Sequence, residues 1–319
     1  MTASWRLLFL LAGLVAAIPL VYWGQNGGGT VESNDLSAYC TSAAGIDVIL
    51  LAFLQSVGYR NDVPSGTTGQ SCSITNTGQG QNCGALASAI TTYQSKDEAT
   101  TIGNSLWKLY GNSNSTDVRQ RPFIKAFVNG FDFDLERNSG NEYYPVMIST
   151  LRSNFGSDPH NTYYITGAPQ CPIPEPNMGV IIESAKFDYL WPQFYNNNNY
   201  SARCALPVNG NAPFNYDCRV SYTASTPSAN AKLFIGVPAA PLAANGGPAG
   251  ETYYATPQQL SGIVMQYTAH ERFSGIMMWS AGFSDSNVID GCTYAQQAKS
   301  ILTTGSPDGS ALAVGAPQY

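Results

Sequence analysis

Val128-Asn129-Gly130-Phe131-Asp132-Phe133-Asp134-Leu135-Glu136 is the stretch on which the reading of the whole chain turns. In an extended strand successive side chains point to opposite faces. Phe131, Phe133 and Leu135 therefore share one face, and Asp132, Asp134 and Glu136 the other. Crowded carboxylates raise one another's pKa, a cost that an ordinary strand avoids and an acid/base site exploits. The plain alternative is an edge strand with a solvated acidic face. Against it, the apolar partners are large and follow Phe123, Ile124 and Phe127, so the apolar side reads as buried. The pattern favours a catalytic strand.

Working outward, further strand-like segments lie at Leu20 to Trp23, Ile46 to Leu54, Tyr163 to Ala168, Phe187 to Tyr195, Leu233 to Val237 and Ile276 to Trp279. Helix-like stretches fall between several of them, at Glu142 to Asn154, Met178 to Ala185, Pro257 to Phe273 and Tyr294 to Leu302. Repeated strand and helix alternation over one domain predicts a parallel sheet, and the length predicts a closed (β/α)8 TIM barrel. Polar or aromatic residues close many strands: Gln25 and Asn26, the carboxylates, Gln170, Gln193, Tyr195 and Trp279. In a barrel these C-terminal strand ends converge on the active site. One strand is missing from the count. Between Leu54 and Phe131 there is only a polar loop from Asp62 to Gln81 and a helical run from Ala85 to Tyr110, so seven barrel strands are recognisable. A structureless loop of that length is uncommon and usually functional.

Only 11% of the 319 residues are charged and the net charge is -6, against roughly 25% charged in an average soluble protein. Nucleic acid and anionic membranes call for a basic patch, so both are excluded as partners. A neutral, hydroxyl-rich ligand such as a polysaccharide fits. Arg6 and the apolar run Leu7 to Val21, with small Ala16 and Ala17, read as a secretory signal peptide over residues 1–17. The next segment, Ile18 to Trp23, already looks like a strand. The domain then runs over 18–304, and 305–319 reads as a disordered tail. Seven cysteines in a secreted chain indicate disulfides with one thiol left over. Sequons stand at Asn114 and Asn199. His160 and His270 form no ligand cluster, so neither a metal nor another cofactor is expected.

The stretch from Val128 to Glu136 resembles the active-site signature of glycoside hydrolase family 18. Further blocks are similar to the fungal and plant class III (hevamine-like) chitinases: Val21 to Asn26, Leu51 to Leu54, Gly167 to Pro172, Gln193 to Asn197, Gly236 to Ala239 and Met278 to Ser280. Each block is short, but in order and with the signature they are specific. The resemblance implies a monomeric (β/α)8 enzyme that is secreted and cleaves β-1,4 bonds between N-acetylglucosamine units of chitin or chito-oligosaccharides. It implies retention by substrate assistance, the acetamido carbonyl of the sugar acting as nucleophile. Glu136 is then the acid/base, kept protonated at mildly acidic pH by crowding. Asp134 holds the acetamido group and trades a proton with Asp132, and Tyr195 donates to the acetamido oxygen. Gln193, Asn196 and Tyr22 line the pocket, and Trp279 forms its floor.

The chain also departs from that family. Relatives carry a third barrel strand ending in a Ser-x-Gly-Gly turn. Here Ala85 to Ile90 matches the helix before it and Tyr93 to Ala99 the stretch after it, with no strand between. The resemblance pairs Cys72 with Cys83 and Cys171 with Cys204, and leaves Cys40 without its usual partner. Unpaired backbone at the gap costs on the order of 1 to 3 kcal/mol per buried group. A non-catalytic chitin-binding lectin or glycosidase inhibitor is therefore the alternative reading, as is a chain inactivated by the gap. Pro192 is a second oddity, because proline is unfavourable in a central strand.

Overall fold

The computed structural model describes residues 17–25, 36–58, 61–66, 73–74, 80–81, 96–113, 126–138, 140–197, 204–210, 214–244 and 248–307. Seven parallel strands form one sheet: β1 (Ile18–Trp23), β2 (Val48–Leu51), β7 (Gly130–Phe133), β8 (Tyr164–Gly167), β9 (Tyr189–Leu190), β10 (Lys232–Pro238) and β11 (Phe273–Trp279). Their order is β2-β1-β11-β10-β9-β8-β7. Among the described residues the sheet is a nearly closed barrel whose two edges, β2 and β7, leave open the place of the third strand that the sequence reading lacks. The β2 edge is the less covered of the two, with Val48, Ile49 and Leu50 half-buried and Leu51 exposed.

Alternation along each strand divides the apolar residues into two layers. Leu20, Tyr22, Ala52, Ala168, Trp191, Phe234 and Met277 pack together inside the barrel. Val21, Phe131, Phe133, Ile165, Leu233, Ile235, Ile276 and Met278 belong to the outer layer, between sheet and helices. A strand buried on both faces needs both sets apolar, and β10 and β11 show it, being buried at nearly every position.

The region expected to be a loop holds two small antiparallel pairs, β3 (Leu54–Gly58) with β4 (Asn61–Gly66) and β5 (Ser73–Ile74) with β6 (Gly80–Gln81). Neither pair joins the parallel sheet. The helical run there is observed as α1 (Lys96–Tyr110), and residues 85–95 lie outside the described residues. It packs on α2 (Tyr144–Phe155), the helix after β7.

Several elements differ from expectation. β9 stops at Leu190 rather than running to Tyr195. Beyond it the N–H groups of Trp191 and Gln193 still donate to Gly167 O and Pro169 O at 2.9 and 2.8 Å, while Pro192 contributes only its carbonyl, to Gly236 N at 3.1 Å. Proline thus sits where the regular ladder has ended. The helix expected from Met178 to Ala185 is the single turn α3 (Gly179–Ile182). Helix α4 (Tyr216–Ala224) was not anticipated. Helix α5 covers Pro257–Val264 and not the stretch to Phe273, because successive turns occupy 265–272, with Tyr267 N donating to Val264 O and His270 N to Tyr267 O, before β11 begins at Phe273. Thr256 closes a capping box with Gln259 at its start. Two further helices follow β11, α6 (Ala281–Ser286) and α7 (Tyr294–Thr304), the last ended by Gly305 at φ 81°.

Ile18 does begin a strand, while residues 1–16 and 308–319, and with them the signal-peptide stretch and most of the tail, lie outside the described residues. Cys72, Cys83, Asn114 and Asn199 lie outside them as well.

Candidate active site

The signature begins on β7 and runs past its C-terminal end. Phe131 and Phe133 are buried under the helices, so the strand register turns Asp132 toward the barrel interior. Tyr22 Oη, from β1, donates to Asp132 Oδ2 at 2.6 Å. Thr166 Oγ1, from β8, donates to Asp132 Oδ1 at 2.7 Å. Trp191 Nε1, just past β9, donates in turn to Tyr22 Oη at 3.0 Å. Burial pushes Asp132 up to about 6, against the downward pull of these donors and of the Phe133 amide. Tyr22 is pushed well above its ordinary value by burial and then by Asp132 and Asp134, so its hydroxyl stays protonated and donates.

Asp134 and Glu136 meet at one amide. Gln193 Nε2 lies 3.0 Å from Asp134 Oδ1, 3.3 Å from Glu136 Oε1 and 3.2 Å from Ala168 O. Burial, and then the charges of Glu136 and Asp132, push Asp134 well above the usual carboxylate range. Glu136 stands at the exposed rim. Tyr195 is buried, and burial followed by the charges of Asp134 and Glu136 drives its phenol well up, so it too remains a donor. A carboxyl pushed above its usual range, a second carboxyl and a phenol donor are thereby gathered at one end of the barrel, an arrangement suited to acid/base chemistry.

An aromatic group borders them. Trp279, at the end of β11, is half-buried and stacks on Phe53 with centroids 5.9 Å apart, and Tyr22 closes the group at 5.5 Å from Trp279 and 5.9 Å from Phe53. Trp279 also packs against the buried set Tyr195, Ala205, Ala244 and Tyr253. Asn196 follows Tyr195 at φ 64° with its Oδ1 buried and without a hydrogen-bond partner among the described residues. Among the described residues no hydrogen bond joins it to Asp132, Asp134 or Glu136. Asn197 Nδ2 donates to Tyr195 O at 2.7 Å and fixes the turn. Cys171 and Cys204 form a disulfide that ties the loop after β8 to the segment beyond this turn. Cys218 is exposed and reduced. Of the other strand-closing residues, Gln25 Nε2 donates to Ala52 O at 2.9 Å, Gln170 Oε1 accepts from Asn177 Nδ2 at 3.2 Å, and Asn26 lies outside the described residues.

Tyr22, Asp132, Asp134, Glu136, Gln193, Tyr195 and Trp279, each singled out from the sequence, are thus brought together. Three residues of the same site were not: Thr166, Trp191 and Phe53. Alternation was the available signal for Thr166, since Ile165 is outward and Thr166 must then face in.

No family model matches the chain. Endochitinase 2 of Metarhizium anisopliae is 57% identical over 335 residues, covering 93% of this chain and 80% of that protein. That aligned span exceeds the 319 residues of the chain, so the relative carries residues within it that this chain lacks. The crystal structure of the ICChI chitinase from Ipomoea carnea superposes with a TM-score of 0.65 at 26% identity, covering 88% of this chain and 98% of that one. A xylanase and alpha-amylase inhibitor protein, XAIP-II from Scadoxus multiflorus, shares the fold at a TM-score of 0.64 and 24% identity, covering 85% and 95%.

Proposed function

The chain belongs to the fungal chitinases of glycoside hydrolase family 18, a chitinase-type hydrolase by its relatives, and on that premise we propose that it is secreted and cleaves chitin by a substrate-assisted retaining mechanism. The observation that carries this reading is the convergence of Asp134 and Glu136 on the Gln193 amide, with Tyr195 beside them. Glu136, at the accessible rim, protonates the glycosidic oxygen. The acetamido oxygen of the sugar in the cleft attacks the anomeric carbon, and the leaving sugar departs with the proton. Asp134, holding its proton, orients the acetamido group and passes that proton toward Asp132 as positive charge develops on the oxazolinium ring. Tyr195 donates to the acetamido oxygen. Glu136, now ionised, takes a proton from the incoming water, and the product leaves with its original configuration. Trp279 presents an apolar face to the sugar ring.

The test is the anomer released first from a short chito-oligosaccharide, followed by proton NMR. The β-anomer ahead of mutarotation supports the reading, and the α-anomer first contradicts it. Binding without hydrolysis is the second reading, favoured by the open seam between β2 and β7. Retention of the folded chain on chitin with no soluble product would establish it instead.

A further inference from the structure

Asp132 is held at both carboxylate oxygens by donors from β1 and β8. Tyr22 on β1, Thr166 on β8 and Trp191 beyond β9 all lie on the intact arc of the barrel, so its support does not pass through the gap. Both carboxylate oxygens receive a hydroxyl hydrogen. The direction of the Tyr22 hydroxyl is fixed, because an indole N–H can only donate and Trp191 therefore occupies the acceptor side of Tyr22 Oη. The Tyr22 hydrogen is left for Asp132. Tyr22, Thr166 and Trp191 are each buried, at 2%, 8% and 3% exposure, so water does not replace a lost donor cheaply.

We infer that Thr166 and Trp191 are positioning residues that hold Asp132 as a hydrogen-bond acceptor and thereby keep the proton of the Asp132–Asp134 pair on Asp134. The inference rests on the proposed mechanism, in which Asp134 must start protonated and Asp132 must be ready to receive. It accords with the observed balance, Asp134 being driven up by burial, Glu136 and Asp132 with only Gln193 opposing, while four donors oppose the rise at Asp132. The titratable groups facing the pair are Tyr22 from β1, Glu136 beyond β7 and Tyr195 beyond β9.

Thr166→Val removes one donor with little change of shape, Trp191→Phe removes another at the cost of a smaller ring, and Thr166→Ser restores the hydroxyl. Two readouts are taken on the full chain: the Asp132 side-chain titration by carbon-13 NMR, and the pH dependence of kcat/KM. In Thr166→Val the Asp132 midpoint is expected to rise by about one pH unit, the size of one charge-assisted hydrogen bond. Trp191→Phe moves it the same way by less. The acid limb of kcat/KM follows, because a protonated Asp132 cannot take the proton of Asp134. Neither side chain bonds Glu136, so the alkaline limb stays. Thr166→Ser returns both readouts to wild type. A folded Thr166→Val chain with an unmoved Asp132 midpoint, or with activity lowered equally at every pH, overturns the inference. A moved midpoint in a chain that hydrolyses nothing leaves the positioning role standing and removes the proposed mechanism.

Discussion

The side-chain amide of Gln193 lies 3.0 Å from Asp134 Oδ1, and the same nitrogen also reaches Glu136 Oε1 at 3.3 Å and Ala168 O at 3.2 Å. An amide nitrogen carries two hydrogens, so three acceptors share two bonds. Gln193 thereby joins the carboxyl proposed to orient the acetamido group to the carboxyl proposed as acid/base, while remaining buried itself. Replacing it by leucine keeps the bulk and removes the donor. The expected result is a fall in kcat of about a hundredfold, the scale seen when one preorganised donor is lost, with a cooperative melt retained. Steady-state kinetics on a chito-oligosaccharide decide it, and near-wild-type kcat would dismiss Gln193 from the chemistry.

Asp132 predicts a pH-dependent stability. Its folded pKa of about 6 lies above the 3.8 of an ordinary aspartate, so the folded state holds the proton more tightly than the unfolded one. The stabilisation is complete below the unfolded pKa and is lost as pH rises through about 6. A half-buried group is partly screened, and about 2 kcal/mol is the expected size. Asp132→Asn cannot titrate, so the stability difference between wild type and variant should shift by that amount between pH 4 and 7 in urea unfolding. A difference that stays flat over this window would contradict the burial assigned to Asp132.

The Cys171–Cys204 bridge spans 33 residues and encloses β9, Gln193, Tyr195 and Asn197. Closing a loop of that size stabilises by roughly 3 to 4 kcal/mol in the chain-entropy treatment. The double variant Cys171→Ser/Cys204→Ser should lose stability on that scale in urea unfolding. It should also lose activity before it unfolds, because the turn carrying Tyr195 sits inside the loop. Equal midpoints with and without the bridge would show that the turn is held by packing alone.

The barrel was legible in the sequence from alternation, and the gathering of most candidate-site residues at one end of it from alternation, strand ends and the family resemblance. Apolar residues on two faces mark a buried parallel strand, and β1, β7, β8, β10 and β11 all lie where that pattern places them. The seven-strand count was legible too, from a gap in the same pattern, and the sheet order opens between β2 and β7. Elements that break the pattern were misread. Helix α4 turns Arg219 into the core, fully buried, where its guanidinium donates to Gln170 O, Cys171 O and Pro172 O. A cation on the inner face conceals the amphipathic signal of the helix. β9 was drawn too long because the residues after Leu190 are apolar, yet Pro192 and the turn at Asn196 had to end it. Thr166 and Trp191 went unnoticed for a different reason. Thr166 matters because the β7–β8 register sets it opposite Asp132, and Trp191 because it reaches Tyr22 across the barrel, and neither pairing is written in the local pattern.

Glu136 is the group proposed to protonate the leaving oxygen, and the whole mechanism depends on it. Glu136→Gln keeps the shape and the Gln193 contact while removing the titrating proton. Release of soluble oligomers from colloidal chitin at mildly acidic pH, measured for wild type and this variant at equal folded concentration, is the direct test. The account predicts hydrolysis by wild type and a loss of at least a hundredfold in the variant, with retention on chitin preserved. Equal rates in the two, or a folded wild type that binds chitin and releases nothing, would contradict it.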